Sequence, residues 1–318
     1  MEHPDANVVF VCASIDPAVK DSLAKAGIRT LVFADLKPEK LTQGETLPHL
    51  SPTEQQAYFA LVRNESKVVS TRELASLLGR PIHRARNLLV AMAKRGALFR
   101  FGRGKFAVLP PDVLYDRKSY TADPYVVVDA IMKGEQYYVA YGSAAHLHGV
   151  ATQLPFTVSV AILGQRRPIN LGGAQIRFVS VRKARLFGIE EREYFGSSIR
   201  VSDLAKTVVD CVDRSDLVGG IDEATRIAAE ALGRMDLARL VDYSEKMERQ
   251  ALVQRLGFVL EKLGGAGYDV SGSVLERLER LVRKSYAYPL DPARRKKGRL
   301  SPSWHVYENV DCLRWRHA

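Results

Sequence analysis

The fold is decided by residues 70–96, STRELASLLGRPIHRARNLLVAMAKRG, which predict two helices joined by a very short turn. Ser70 and Glu73 have the spacing of a capping box, so the first helix begins beside them. Gly79 ends it, because glycine tolerates a positive φ. Pro81 opens the second helix, which continues to the glycine at the end of the stretch. Two helices joined by a glycine-containing turn are typical of a helix-turn-helix.

The flanking residues complete a small module. Before the helix pair, SPTE (51–54) is a second capping box with proline at the first helical position, and it predicts a helix to about Asn64. After the pair, the alternating segments 98–101 and 105–108 flank a Gly-Arg-Gly turn and predict a hairpin with a basic tip. Residues 49–110 are therefore predicted to be a winged helix-turn-helix, a module that lays one helix in a DNA groove.

Positive charge is concentrated in this module. Residues 70–106 contain nine Lys and Arg against one acid, Glu73, whereas the whole chain has a net charge of +11. A basic excess on such a pattern is the electrostatic footprint of a DNA-backbone binder, although some winged helices recognise proteins instead. On a helical wheel Ala85, Leu88, Leu89 and Met92 turn inward. We predict that double-stranded DNA is bound by Thr71, Arg72, His83, Arg84, Arg86, Asn87, Lys94, Arg100, Arg103 and Lys105.

Composition indicates an ordinary globular protein. The 318 residues are 46% hydrophobic and 26% charged, which is enough for two domains with a core each. Cys12, Cys211 and Cys312 are far apart and form no CxxC, so a reducing compartment is expected. The acidic N-terminus and the absence of a long apolar run predict a soluble cytoplasmic protein with no membrane partner.

Residues 1–46 predict a short βαβ extension. Strands are expected over 8–12 and 28–33, with a helix beginning at Asp16 between them. Such a unit cannot bury both of its faces alone. Its segments SIDPAV (14–19) and AGIR (26–29) resemble the end of a restriction-endonuclease-like domain. However, Glu39-Lys40 does not reproduce the nuclease acids and lysine of that family. Nuclease activity is therefore not predicted.

From residue 113 the pattern becomes mixed α/β. We predict a domain over 113–265, followed by a C-terminal helix and a basic tail over 266–318. Helices are expected over 125–132, 142–148, 202–210, 220–231, 236–244, 250–263 and 273–284, and strands over 136–140, 156–163, 169–171, 175–181 and 199–201.

Three segments of this second domain carry a family resemblance. They are YVAYGSAAHLHG (138–149), IRFV (176–179) and SDLAKTVVD (202–210), and together they resemble the C-terminal domain of AbiEi-type antitoxins. The order, winged helix first and this domain second, is similar as well, and the resemblance covers about 51–263. It implies a transcriptional autorepressor whose partner is a nucleotidyltransferase-like toxin of the same operon, with abortive infection as one biological role.

Two chemical alternatives, a nucleotidyltransferase and a histidine metal site, lack the residues they need. Gly142-Ser143 after a strand suggests a nucleotidyltransferase, but Mg²⁺ requires carboxylates and no acid lies between Glu135 and Glu190. His146 and the histidine two residues later do not share a helix face, and no third ligand stands nearby. We therefore predict no enzymatic activity, no metal and no cofactor.

The overall prediction is an α+β autorepressor and antitoxin that binds operator repeats as a homodimer or cooperatively, because one winged helix buries little surface. A ligand-sensing winged-helix transcription factor and a truncated nuclease fusion are the alternatives. Further basic residues are candidates for an extra DNA or partner contact, unless they are merely solvated. They are Arg166, Arg167, Arg182, Lys183, Arg294, Arg295, Lys296 and Lys297.

Overall fold

The computed structural model describes residues 9–12, 29–32, 50–109, 123–132, 134–151, 156–171, 174–194 and 197–316. The chain divides into two compact units, Met1–Lys118 and Ser119–Ala318. Helices and several separate sheets alternate along it, so the predicted α+β class is confirmed.

The first unit begins with two short strands that pair in parallel, β1 (Val9–Cys12) and β2 (Arg29–Val32). Both strands of the predicted βαβ extension are therefore present. The helix expected between them, Glu39-Lys40 and the linker before residue 50 lie outside the described residues.

Residues 50–109, the rest of the first unit that the structure describes, contain three helices and a three-stranded sheet, and both predicted capping boxes are formed. In the second box the Glu73 amide donates to the Ser70 hydroxyl at 3.2 Å, and the Ser70 amide donates to the Glu73 carboxylate at 2.6 Å. Gly79 ends the middle helix in the left-handed conformation, with φ of 58°. The elements are α1 (Pro52–Arg63), β3 (Val68–Ser70), α2 (Thr71–Leu78), α3 (Ile82–Lys94), β4 (Leu98–Gly102) and β5 (Lys105–Val108).

Strands β4 and β5 form the predicted antiparallel hairpin, and β3 adds to β5 as a third strand that the sequence pattern did not indicate. At three residues, β3 is too short to show an alternation. The helices and the sheet enclose one core, because each element contributes an apolar face. Its buried members include Tyr58, Leu61, Leu74, Leu89, Met92 and Phe106.

The second unit contains a six-stranded mixed sheet in the order β10-β11-β6-β7-β9-β8. Strand β10 was not predicted, because Glu190, Glu191 and Glu193 make its sequence polar. It lies at the sheet edge, where charged residues are tolerated. The strands are β6 (Tyr137–Val139), β7 (Thr157–Ile162), β8 (Ile169–Asn170), β9 (Gln175–Ser180), β10 (Ile189–Tyr194) and β11 (Ser197–Ser202).

Seven helices accompany this sheet in the described residues, each close to a predicted segment. The longest buried run lies in α9, in which residues 251–260 are all shielded from solvent. The helices are α4 (Pro124–Met132), α5 (Tyr141–Leu147), α6 (Leu204–Asp213), α7 (Ile221–Ala231), α8 (Leu237–Lys246), α9 (Gln250–Gly265) and α10 (Gly272–Leu281).

The segment after α10 is folded onto this helical core. It forms a small sheet in the order β12-β14-β13, from Tyr288–Pro289, Val306–Glu308 and Arg299–Leu300 respectively. Trp304 is 2% exposed and packs on Gly257 of α9, where a Cβ atom would lie 2.0 Å from the indole ring. The predicted boundary at 265/266 therefore cuts through one hydrophobic core and needs correction.

Candidate functional site

Helix α3 presents its polar side chains to solvent. Ala85, Leu89 and Met92 are buried, as the helical wheel predicted, while Leu88 is half-buried. The opposite face leaves five predicted DNA-binding residues exposed. These are His83, Arg84, Arg86, Asn87 and Lys94.

The tip of the β4–β5 hairpin is fixed to the start of α2. The Thr71 amide donates to the Gly104 carbonyl at 3.1 Å, and Gly104 has a φ of +71° that disfavours other residues. Arg103 is therefore exposed at a defined position beside the N-terminus of α2. Thr71 is half-buried by this contact, while Arg72, Arg100 and Lys105 are exposed.

One basic residue of the module has a structural role. The Arg95 guanidinium lies 3.3 Å from the carboxylate of Glu54, a side chain that is only 6% exposed. Arg100 donates from Nε to the Gly102 carbonyl at 3.3 Å and lies 6.0 Å from the Phe106 ring centroid, so its position is set by the hairpin.

Sequence reasoning missed an apolar residue on this face. Ile82, the first residue of α3, is 58% exposed, and Leu77 of α2 is 40% exposed. Only polar residues had been considered as contacts. The helical spacing gave no signal of this exposure, because Ile82 precedes Ala85 by three residues and therefore falls towards the inward side of the wheel.

In the second unit Ser143 of the predicted Gly142-Ser143 turn is buried and hydrogen-bonded to strand β7. Ser143 is 1% exposed, its hydroxyl donates to the Thr157 carbonyl at 3.3 Å, and it accepts from the Ser159 amide at 2.9 Å. The Tyr125 hydroxyl donates to the Ser143 carbonyl at 3.2 Å. These bonds join α5 to β7 and leave the serine no surface for a nucleotide.

His146 in α5 and His148 at the C-terminal end of this helix also contact neighbouring residues. A ring nitrogen of His148 lies 2.7 Å from the Ser202 carbonyl, and His146 stacks on Tyr125 with centroids 6.4 Å apart. Burial lowers the pKa of His146, with a smaller opposing effect from Asp123. In the described ranges no three His, Cys, Asp or Glu residues are grouped so that they could hold a metal.

A buried polar cluster on α6 was not predicted as a site. The Lys206 ammonium is 0% exposed and donates to the Asp210 carboxylate and, at 3.1 Å, to the Tyr138 hydroxyl. The same hydroxyl donates to Asp210 at 3.1 Å. Burial raises the pKa of the Asp210 carboxyl, and Lys206 opposes this rise. The i,i+4 Lys-Asp spacing inside an apolar helix was the available signal.

The next turn of α6 carries a second buried acid. One oxygen of Asp213 accepts from Arg185 at 3.3 Å and from Arg249 at 3.0 Å, and its other oxygen has no hydrogen-bond partner among the described residues. These contacts tie the turn before β10 and the start of α9 to α6. Helix α6, which begins within the SDLAKTVVD segment, therefore organises the interior of the unit.

The additional basic candidates fall into two groups. Arg166 is engaged, since it binds the Glu135 carboxylate at 2.7 and 2.9 Å and lies 5.3 Å from the Phe178 ring centroid. Arg294 forms an ion pair with Asp291 at 3.2 Å. The others are exposed without an ion pair among the described residues. They are Arg167, Arg182, Lys183, Arg295, Lys296 and Lys297.

Residues 137–262 match the family model of the AbiEi antitoxin C-terminal domain. The resemblance found in the sequence is thereby confirmed for this part of the chain. That assignment supports an antitoxin role, and antitoxins in general act on a toxin partner. The buried α6 cluster and the Ser143 contacts both lie within the matched residues.

The fold is also similar to a known structure. The crystal structure of the RV2827C protein from Mycobacterium tuberculosis matches with a TM-score of 0.61 over 81% of this chain and 92% of that chain. At 14% identity the match shows the fold alone. No curated protein matches the chain. No helix in the described ranges combines the length and apolar character that crossing a membrane requires.

Proposed function

We propose that residues 50–109 are a winged helix-turn-helix that binds operator DNA, with α3 in the major groove and the β4–β5 hairpin as the wing. The observation that carries this proposal is the exposed face of α3. It gathers cationic and amide side chains on a helix whose opposite face is buried, beside a wing held at a fixed place. This arrangement offers phosphate and base-edge contacts at once.

The residues of this face divide by chemistry. Arg84 and Asn87 lie in the N-terminal half of α3, and their side chains can bond bidentately to guanine and adenine edges. Ile82 is suited to a thymine methyl group. Arg103 and Lys105 lie on the wing, where a cation neutralises phosphate without reading sequence. Further polar contacts along the same surface are supplied by Arg72, His83, Arg86, Lys94 and Arg100.

The second unit supplies the antitoxin role in this proposal. We infer that its partner is a nucleotidyltransferase-like toxin encoded in the same operon, and that the chain represses its own promoter. Two copies on operator repeats would provide the interface area that one winged helix lacks. The protein performs no catalysis, which is consistent with Ser143 being buried and fully hydrogen-bonded.

Full-length variants test the proposal. The probe is a duplex taken from directly upstream of the reading frame, with a scrambled duplex of equal length for comparison. Arg84→Ala and Asn87→Ala should each make the binding free energy for the upstream duplex less favourable by about 1–3 kcal/mol and that for the scrambled duplex by little.

The product of the adjacent reading frame is then co-expressed with each variant. Growth rescue should persist while repression is lost.

Arg280→Ala is the matched control, because Arg280 is exposed on α10 and faces Glu276 across one helical turn at 3.7 Å. It should leave binding and rescue unchanged. If Arg84→Ala and Asn87→Ala keep the ratio of specific to non-specific affinity, α3 is not the reading element. If the wild-type chain fails to rescue, the toxin assignment fails separately, and a ligand-sensing transcription factor becomes the better account.

A further inference from the structure

The C-terminal segment carries a second basic surface, outside the family match. Residues 283–300 contain seven basic side chains against one acid, Asp291. All seven are exposed. We call these residues, together with Tyr286, the C-terminal basic surface. Its basic members are Arg283, Lys284, Arg294, Arg295, Lys296, Lys297 and Arg299.

The loop that carries most of these charges is held in place. The Asn309 side chain donates to the Asp291 carbonyl at 2.9 Å and to the Arg295 carbonyl at 3.1 Å, and it accepts from the Asp291 amide at 2.9 Å. At Gly298, with φ of +109°, a Cβ atom would lie 2.1 Å from the Glu308 carbonyl oxygen. The loop therefore packs directly on β14. The predicted basic tail is an ordered element.

Nearby acids do not neutralise this surface. Asp291 pairs with Arg294 at 3.2 Å, and Glu308 pairs with Lys262 at 2.6 Å. Within the described ranges the other six basic side chains have no ion pair. Holding like charges together in a fixed loop costs free energy, because they repel and cannot disperse. An anionic ligand would offset that cost.

An aromatic ring lies in the middle of these charges. Tyr286 is 53% exposed, and the Lys296 ammonium lies 4.1 Å from its ring centroid and 4.9 Å from that of Tyr307. The neighbouring Tyr288 ring packs against Tyr286 at an interplanar angle of 66°, with centroids 4.7 Å apart. The Tyr286 ring is thus positioned by its neighbours, and about half of the side chain remains exposed.

We propose that the C-terminal basic surface binds single-stranded nucleic acid, with a base stacked on Tyr286 and phosphates held by Arg295, Lys297 and Arg299. A positively charged surface with an accessible aromatic ring is the chemistry by which proteins bind single strands. A duplex keeps its bases stacked inside, so it cannot use the ring. A protein interface would instead have an apolar centre depleted of charge.

The test uses the full chain and three fluorescein-labelled probes of one sequence, a 15-nucleotide RNA strand, the same DNA strand and its duplex. All measurements are made in an Arg84→Ala/Arg103→Ala background, which weakens the duplex binding proposed for the first unit. Fluorescence anisotropy at several salt concentrations gives affinity and salt slope. In this background the single strands should bind more tightly than the duplex.

Tyr286→Ala should weaken binding of the better strand about tenfold or more without changing the salt slope, and Tyr286→Phe should retain it. Arg295→Gln and Lys297→Gln should each lower the slope by about 0.7, since each removes one phosphate contact. Arg280→Gln, at an exposed arginine of α10 outside this surface, should change neither. A thermal melt followed by tryptophan fluorescence establishes that each variant folds.

Two results would overturn the proposal. If Tyr286→Ala binds as the wild type does while the charge variants bind more weakly, the ring does not stack and the surface is a general polyanion site. If a labelled 15-residue polyglutamate binds as tightly as the RNA strand, the surface suits an acidic protein. Neither result touches the proposed operator binding, which the background substitutions weaken.

Discussion

Helices α3 and α6 carry similar side chains and use them in opposite ways. On α3, Arg84 and Asn87 are exposed and make no contact that the fold requires. On α6, Lys206 and Asp210 are almost completely buried and bonded to each other and to Tyr138. The exposed side chains of α3 are available to a partner, whereas the buried charges of α6 are paired with each other inside the protein.

This difference shows that residue type does not identify a functional site. A buried charge must be paired, because removing one partner leaves the other without water or counter-charge. An exposed charge has no such requirement, so its loss affects binding and hardly affects folding. Substitutions on α6 should therefore change stability, and substitutions on α3 should change affinity.

The largest effect is expected for Lys206→Met. The change leaves the Asp210 carboxylate buried without its cation, so the free energy of unfolding should fall by about 3–5 kcal/mol. Urea unfolding followed by tryptophan fluorescence measures this directly, since both tryptophans, Trp304 and Trp315, lie in the second unit.

Arg84→Ala is the exposed counterpart in the first unit, and its free energy of unfolding should stay within about 0.5 kcal/mol of wild type. Far-UV circular dichroism follows this variant, because neither tryptophan lies in the first unit. The double variant Lys206→Met/Asp210→Leu should recover part of the loss, because no charge is then left unpaired. Equal stability of Lys206→Met and wild type would show that the α6 pair does not hold the unit together.

Gly257→Ala should destabilise the second unit by about 1–3 kcal/mol, although alanine normally favours a helix over glycine. The added methyl would meet the Trp304 ring, which lies 2.0 Å from the Cβ position. Gly265→Ala is the matched change at the end of the same helix, with nothing within 4 Å of its Cβ position. Urea midpoints compare the two. If both variants are stabilised, the C-terminal segment is not packed on α9.

Arg103→Ala tests the exposed side of the comparison. It should weaken upstream and scrambled duplexes alike and lower the slope of log K against log salt by about 0.9, because one phosphate contact is lost. Anisotropy titrations over a salt series give both quantities. A selective loss for the upstream duplex would mean that Arg103 reads bases and that the division between α3 and the wing is wrong.

The smallest effect concerns pH. Burial lowers the folded-state pKa of His146 below its usual 6.5, so the unfolded chain takes up the proton first. The stability of the second unit should accordingly be full above about pH 6.5 and decline as the pH falls below it. Urea midpoints between pH 7.5 and 5 measure the decline. His146→Gln should flatten it, and an unchanged decline would assign it to other groups.

Local patterns predicted most of the elements. Capping boxes, glycine stops and the 3.6-residue period located α1, α2, α3 and the helices of the second unit. Strands β3 and β10 were missed for different reasons. Strand β3 is too short to show a period, and β10 is too polar, because an edge strand can expose its charges.

By itself, the sequence determined where helices begin and end, which face of α3 is apolar, and that three segments of the second domain resemble AbiEi-type antitoxins. These features depend on neighbours within a few residues, so a linear reading suffices. Only the tertiary structure decided that Lys206 and Asp210 are buried beside Tyr138, that Trp304 closes the core on Gly257, and that Asn309 fixes the basic loop. These contacts join residues that are distant in the sequence. Tyr138 and Asp210 are 72 positions apart, and Asn309 and Arg295 are 14 positions apart. Burial of that kind depends on the packing of distant elements, which local periodicity does not encode.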